Sequence, residues 1–186
     1  MSKLEEIPKK MQALVLHEIG KLTYEEVANY SLKEDYVLVK MKYCGICSSD
    51  IERVFVNVTY HFPTIPGHEM AGEIIATCDK NDDLLGKNVT IFPMLPCMEC
   101  DACKHEEYAQ CSNYNYFGSR CDGGFSEYLL VPIWNLVFTD EIDPKIACLS
   151  EPAAVSLHAV NILNIKKDMK VAISGTGTIQ LIKLLI

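Results

Sequence analysis

The feature that most restricts how this chain can fold is a run of cysteines, Cys97-Met98-Glu99-Cys100-Asp101-Ala102-Cys103, followed after seven residues by Cys111. Three thiols at intervals of three, with a fourth close behind, can close a tetrahedral shell of thiolates around one zinc ion. Such a shell leaves no coordination position for a substrate, so its role is structural. It would tie down a lobe with little core of its own, because Asp101, Lys104, Glu106 and Glu107 are too polar for a buried run. Four thiolates also suit an iron–sulfur cluster, and unliganded core cysteines are a further alternative. Zinc is the reading the spacing favours. The nine cysteines of the chain agree with this in a reducing compartment, where clustered thiols serve as metal ligands or reactive groups more often than as disulfides.

The segments around this run read mostly as β. Alternating or β-branched stretches predict strands at Gln12–His17, Tyr36–Tyr43, Glu73–Thr77, Asn88–Phe92 and Phe125–Val131. Turn residues separate them at Gly20 and Lys21, Asn81 to Asp83, Gly86, and Gly123–Gly124. Many short strands with turns between them point to a barrel or sandwich. A short helix fits Ser48–Phe55, with Ser48 or Ser49 as its cap. After about Asp143 the pattern changes. Glu151–Leu163 has helical spacing, Lys170–Ser174 reads as a short apolar strand, and Gly175-Thr176-Gly177 leads into the apolar Thr178–Ile186. Strand, glycine turn and helix together open a nucleotide-binding βαβ unit.

A second set of metal-ligating types lies in Cys44-Gly45-Ile46-Cys47-Ser48-Ser49-Asp50 and Gly67-His68-Glu69. A catalytic zinc takes three protein ligands and keeps one position open. Spacing alone does not choose between Cys44 and Cys47, and a solitary His68 is more often an ordinary half-buried histidine. Glu151, in Ser150-Glu151-Pro152, is equally well placed as a first-turn acid at a helix start.

Taken together, Gly45-Ile46-Cys47-Ser48-Ser49-Asp50, Pro66-Gly67-His68-Glu69, the spaced cysteines, Asp122-Gly123-Gly124-Phe125-Ser126-Glu127-Tyr128 and Glu151-Pro152 resemble the medium-chain, zinc-dependent dehydrogenase family. The resemblance is to its polyol branch, the sorbitol and galactitol-1-phosphate dehydrogenases. It is nearest the second, through Phe117-Gly118-Ser119-Arg120. It implies a mainly β, GroES-like, β-barrel-like catalytic domain over residues 1–150. Residues 151–186 would then be a linking helix and the start of a truncated α/β Rossmann domain. The resemblance also implies a catalytic zinc held by Cys47, His68 and a glutamate, either Glu69 or Glu151, with Cys44 set aside as a small buried residue. The reaction implied is oxidation of a secondary hydroxyl of a polyol or polyol phosphate, such as galactitol 1-phosphate to tagatose 6-phosphate, with NAD or NADP. Ser49 would pass the hydroxyl proton outward, since a hydroxyl can accept and donate at once. Asp50 would orient the imidazole ligand. Arg120 is the candidate for a substrate phosphate, because guanidinium pairs with phosphate oxygens in a bidentate manner; a surface salt bridge is its other reading. A homo-oligomer is implied for the full-length enzyme.

Two departures qualify this. The dinucleotide fingerprint wants a small residue where this chain has Gln180, after Gly175 and Gly177. A βαβ unit needs about 30 residues, and the sequence reads as a truncated N-terminal portion. The competing reading is a catalytically inactive, zinc-stabilised β-domain. Charge excludes other classes: 25 acidic against 17 basic residues, a net −8, supply no basic face for nucleic acid. No apolar run is long enough to cross a bilayer. Met1 to Lys10 carries mixed charge without an apolar signal core, which points to the cytoplasm.

Overall fold

The computed structural model describes residues 7–57 and 59–185. The first six residues of the charged N-terminal stretch, and Ile186, lie outside the described residues. The chain begins with an antiparallel hairpin, β1 (Lys10–Glu18) and β2 (Lys21–Ala28). It turns at Gly20, whose φ of 79° suits a residue without a side chain. Next come β3 (Tyr36–Gly45), helix α1 (Ser48–Phe55), β4 (Glu69–Thr77) and β5 (Asn88–Ile91). The cysteine lobe holds the two-residue strand β6 (Met94–Leu95), the single-turn α2 (Asp101–Lys104) and β7 (Asn115–Tyr116). Strands β8 (Tyr128–Pro132) and β9 (Leu136–Phe138) complete the β structure, followed by α3 (Pro144–Ala147), α4 (Ser150–Leu163) and α5 (Thr178–Lys183).

The main sheet is five-stranded and antiparallel, in the order β8-β3-β4-β5-β9. Its inner strands β3 and β4 carry the core. Val37, Leu38, Val39, Met70, Ala71 and Ile74 are all fully buried. Consecutive residues of both strands are therefore covered on both faces, which is why these strands read as apolar runs rather than as clean alternation. Each such aliphatic side chain contributes roughly 1.5–3 kcal/mol on leaving water. Leu84, Val89, Ile91, Phe117, Leu129 and Val131 close the same cluster. A second cluster, Met11, Ala13, Val15 and Ile65, seats the hairpin.

The sheet departs from a barrel. Among the described residues β8 and β9 remain open edges. Strand β1 reaches the rest of the fold through single bridges, Ala13 with Ser126 and Leu16 with Thr64, rather than through a continuous ladder. At three residues, β9 is too short to wrap round to another edge.

The five predicted strands form, with β4 beginning four residues earlier than its pattern suggests. Glu69-Met70-Ala71-Gly72 hid that extension, since it is buried throughout yet holds a charge and a glycine. The glycine is required. A Cβ at Gly72 would lie 2.4 Å from the Lys40 carbonyl of the neighbouring strand. Helix α1 forms as predicted, but its cap is Cys47 rather than a serine, and Asp50 Oδ2 accepts the Cys47 N–H at 3.0 Å. Helix α4 ends at Asn164, which takes up the left-handed conformation common after a helix C-terminus.

The expected strand at Lys170–Ser174 does not form. A parallel strand needs a neighbour to take its N–H and C=O groups, and among the described residues none pairs with it. The glycine turn and α5 are present, and α5 is joined to α4 where Ser156 Oγ donates to the Ile179 carbonyl at 3.0 Å.

Candidate metal centres

The four sulfurs of Cys97, Cys100, Cys103 and Cys111 lie within 4.8 Å of one another. Cys97 and Cys103 are 3.9 Å apart, and Cys100 and Cys111 3.8 Å. A tetrathiolate with zinc–sulfur bonds of about 2.3 Å has edges of about 3.8 Å by tetrahedral geometry, so this donor set fits zinc. Backbone N–H groups bend in toward the sulfurs: Cys97 N–H donates to Cys111 Sγ at 3.3 Å, and Cys100 N–H to Cys97 Sγ at 3.4 Å. Backbone donors from Cys103 and Ser112 hold the Cys100 thiol below its usual range. Donation from Cys97 does the same for Cys111. Burial pushes Cys103 up. Met98 and Glu106 in this lobe adopt positive φ, a conformation that costs a non-glycine residue roughly 1–2 kcal/mol. Little apolar burial offsets that cost, because the lobe's core is Met94 and two of the cysteines themselves, ringed by Tyr108, Tyr114 and Tyr116.

The second centre is assembled from distant segments. Strand β3 delivers the chain to Cys47 at the start of α1, and β4 opens at Glu69 with His68 immediately before it. The ligand atoms of Cys47, His68 and Glu69 lie within 4.8 Å of one another. One thiolate, one imidazole and one carboxylate fit a zinc ion with a coordination position to spare. Glu69 is paired with Gly45 across the β3–β4 ladder. A Cβ on Gly45 would meet Glu69 Oε2 at 2.0 Å, so the glycine makes room for the carboxylate.

Asp50 lies behind the histidine. Its Oδ1 is 3.3 Å from His68 Nδ1, and both residues are buried. Burial works against a charged His68 ring, but Asp50, helped by Cys47, raises it to about 9. Burial also raises Glu69, and the nearby Glu151 carboxylate raises it further. Glu151 is raised chiefly by burial. It falls outside the mutually close group; Tyr116 donates its hydroxyl to Glu151 Oε1 at 3.5 Å. Ser49 is half-buried on the first turn of α1. Cys44 is not in the group, and burial pushes its thiol up.

The loop before His68 is fixed by the Asp122-Gly123-Gly124-Phe125 segment. Asp122 Oδ1 accepts from Ile65 N–H at 3.0 Å, Gly123 N–H donates to the Ile65 carbonyl at 2.7 Å, and Gly124 N–H to the Gly67 carbonyl at 2.9 Å. A Cβ on Gly123 would lie 2.1 Å from the Gly67 oxygen. The two backbones can touch here because Gly123 has no side chain.

Arg120 stands apart from the ligand group. Its guanidinium lies between two rings, 4.3 Å from the centroid of Tyr60 and 4.5 Å from that of Tyr114. Its backbone belongs to a tight turn in which the N–H groups of Ser119, Arg120 and Cys121 all donate to the Tyr116 carbonyl. Tyr116 also sets its ring edge-on to His68, with centroids 6.0 Å apart. It lines a cleft of about 560 Å3 together with Phe92, Val137, Glu151, Val155 and His158. Neither Tyr116 nor Gly45 was singled out by the sequence. Tyr116 carries no motif, and Gly45 was legible only as part of a glycine-containing ligand segment.

At the other end of the chain, Gly175 has a φ of 101° and Gly177 precedes the six-residue α5. The Gln180 side chain lies over both, 3.0 Å from a Cβ built on Gly177 and 3.4 Å from one on Gly175. Among the described residues no paired strand precedes this turn, and Gln180 lies across it. No described helix is long and apolar enough to cross a membrane.

Residues 33–141 match the family model of the alcohol dehydrogenase GroES-like domain. Galactitol 1-phosphate 5-dehydrogenase of Escherichia coli (strain K12) is 40% identical over 152 residues, which are 80% of this chain and 44% of that protein. Sorbitol dehydrogenase of Bacillus subtilis (strain 168) is 30% identical over 182 residues, 94% of this chain and 52% of that protein. The crystal structure of galactitol-1-phosphate dehydrogenase from Escherichia coli superposes with a TM-score of 0.87 at 35% identity, covering 94% of this chain and 51% of that one. The chain spans about half the length of the curated relatives it matches.

Proposed function

Since the chain belongs to the alcohol dehydrogenase family by its GroES-like domain, we propose that it forms the zinc- and substrate-holding part of a dehydrogenase. The reaction is oxidation of a secondary hydroxyl of a polyol or polyol phosphate to a ketone, with NAD or NADP as hydride acceptor. The observation that carries this reading is the convergence of Cys47, His68 and Glu69 on one point. Beside it stands a four-sulfur group with no position to spare. Zinc bound at the three-ligand site would supply a Lewis acid that lowers the pKa of a substrate hydroxyl.

The chain's own residues do the rest. Asp50 Oδ1, 3.3 Å from His68 Nδ1, is placed to orient the ring as an ion-pair partner and leave its other nitrogen for the metal. Glu69 stands in the ligand group and Glu151 waits beside it, so either carboxylate can serve as third ligand. Ser49, on the same helix turn as Asp50, takes the hydroxyl proton and hands it outward. Residues 1–150 act as the zinc-binding domain, and 151–186 begin a cofactor domain through Gly175 and Gly177. A cytoplasmic enzyme that assembles as a homo-oligomer at full length is the setting.

For the substrate we favour galactitol 1-phosphate. The relative of that name supports this, as does Arg120, whose guanidinium lies between the rings of Tyr60 and Tyr114 with its Nε buried and unmatched by a hydrogen-bond acceptor. The zinc-loaded protein should reduce NAD+ or NADP+ with galactitol 1-phosphate more efficiently than with galactitol. Arg120→Gln should raise KM for the phosphate about ten-fold or more, the size of a lost charge-assisted pair, and leave galactitol nearly unchanged. Equal effects on both substrates would remove Arg120 from the phosphate site.

The second reading is a zinc-stabilised module without catalysis. It is favoured by the absent strand at 170–174 and by Gln180 lying over the glycine turn. Two bound zinc ions, with neither saturable NAD(P) binding nor turnover, would select it.

A further inference from the structure

Tyr116 is the side chain that meets both candidate centres. Its backbone belongs to the cysteine lobe, where β7 pairs Tyr116 with Met94, and its ring packs on the cluster built by Cys97, Cys100, Cys103 and Cys111. Three N–H groups, from Ser119, Arg120 and Cys121, converge on its carbonyl at 3.3, 2.9 and 3.2 Å. The main chain is thus held from both sides. From this anchored position the ring edge faces His68, and the hydroxyl reaches Glu151 Oε1. Glu151 sits at the start of α4, inside the apolar cleft that Tyr116 also lines. The hydrogen bond shown for the half-buried Glu151 carboxylate comes from that hydroxyl, at 3.5 Å, and it draws the carboxylate toward Tyr116.

We infer that Tyr116 is a positioning residue: anchored on the four-cysteine lobe, it holds Glu151 back from the Cys47–His68–Glu69 group and leaves Glu69 as the resting carboxylate ligand. This rests on the metal-site reading proposed above. Release of the Tyr116 hydroxyl frees Glu151 to approach and add to the coordination shell, the first step of an exchange between the two glutamates. The exchange of glutamates then has a physical latch, and that latch is mounted on the lobe that takes no part in the chemistry.

The test uses the whole chain with zinc in the four-cysteine lobe and cobalt in the open site. Cobalt(II) absorption reports coordination number through its d–d bands. Tyr116→Phe keeps the ring on His68 and on the lobe while removing the hydroxyl. We expect weaker, shifted d–d absorption in Tyr116→Phe, as a further oxygen ligand enters. Adding Glu151→Gln to that variant should return the spectrum to that of the unaltered protein. A Tyr116→Phe spectrum identical to the unaltered one, or a change that Glu151→Gln fails to reverse, would overturn the inference while leaving the metal site standing. Failure of the unaltered chain to take cobalt at Cys47, His68 and Glu69 would overturn the metal-site reading itself, and the inference with it. Thermal unfolding of Tyr116→Phe separates a local change from general loosening, because a purely structural role would lower the midpoint together with the change in the cobalt bands.

Discussion

The four sulfurs of Cys97, Cys100, Cys103 and Cys111 come from one continuous stretch and point at each other, whereas Cys47, His68 and Glu69 arrive from two places that meet only in the folded sheet. The first set lies in a lobe with short elements, strained residues at Met98 and Glu106, and almost no aliphatic core. The second rests on β3 and β4, whose residues Val37, Leu38, Val39, Met70 and Ile74 are sealed from solvent. A metal in the lobe would therefore act as the lobe's core. A metal at the ends of β3 and β4 would find its ligands already held by a core that exists without it. The first centre is designed to be closed, and the second to be positioned and left open.

The largest break in this comparison is expected in the lobe. Structural zinc in small sites supplies about 10–16 kcal/mol of apparent binding energy that is also folding energy, and here little else would replace it. Cys103→Ser removes one of the lobe's two buried thiols, the other being Cys111. Elemental analysis should find zinc falling from two ions per chain to one. Limited proteolysis should begin within residues 97–111, while the β signal in far-ultraviolet dichroism persists. Retention of both ions, or collapse of the sheet along with the lobe, would show that the two regions are not energetically distinct in this way.

The difference between the centres also explains what could be read from the residues alone. Cys97 to Cys111 is a local pattern, so its donor set was visible without any fold. The open centre depends on register. Glu69 reaches the group because β4 starts at that residue and pairs it with Gly45, and the alternation of Glu73–Thr77 carries no sign of that earlier start. Spacing left Cys44 and Cys47 equivalent; resemblance chose between them, and the chain path through the cap of α1 places Cys47 in the group. Tyr116 was not legible at all, since its role comes from a two-residue strand and a turn. The strand at 170–174 was misread for the opposite reason. Its apolar pattern is real, but a pattern does not make a strand without a neighbour to complete the ladder. Strand β2 was missed because half its residues face water and Glu25-Glu26 interrupts the alternation.

A smaller and more selective effect is expected from Asp50→Asn. Asparagine can still accept the Cys47 N–H, so the first turn of α1 should remain capped. What it cannot supply is the carboxylate beside His68 Nδ1. Loss of such a partner typically lowers metal affinity by about 10–100-fold. Competition with a chromophoric chelator should show that drop for one ion per chain, with the four-cysteine ion unaffected. Equal weakening of both ions would mean that Asp50 supports the fold at large rather than the imidazole.

The smallest effect, and the finest test of a site positioned by its sheet, lies at Gly45. A methyl group there would overlap Glu69 Oε2 at 2.0 Å, yet that atom is the free end of a flexible side chain, Glu69 Cβ at 3.0 Å needs to give by only a few tenths of an ångström, and Gly45 has no positive φ to strain. Gly45→Ala should therefore leave the thermal midpoint nearly unchanged while swinging the Glu69 carboxylate aside, weakening the open-site metal several-fold, below the loss from Asp50→Asn. Gly123→Ala provides the contrast. Its Cβ would collide with the Gly67 backbone oxygen at 2.1 Å, an atom that cannot turn away without moving the loop before His68. That variant should lower the thermal midpoint and the metal affinity together. If Gly45→Ala also lowers both, the carboxylate at position 69 is part of the sheet's stability, and the separation between a core that folds and a site that only binds does not hold at this strand.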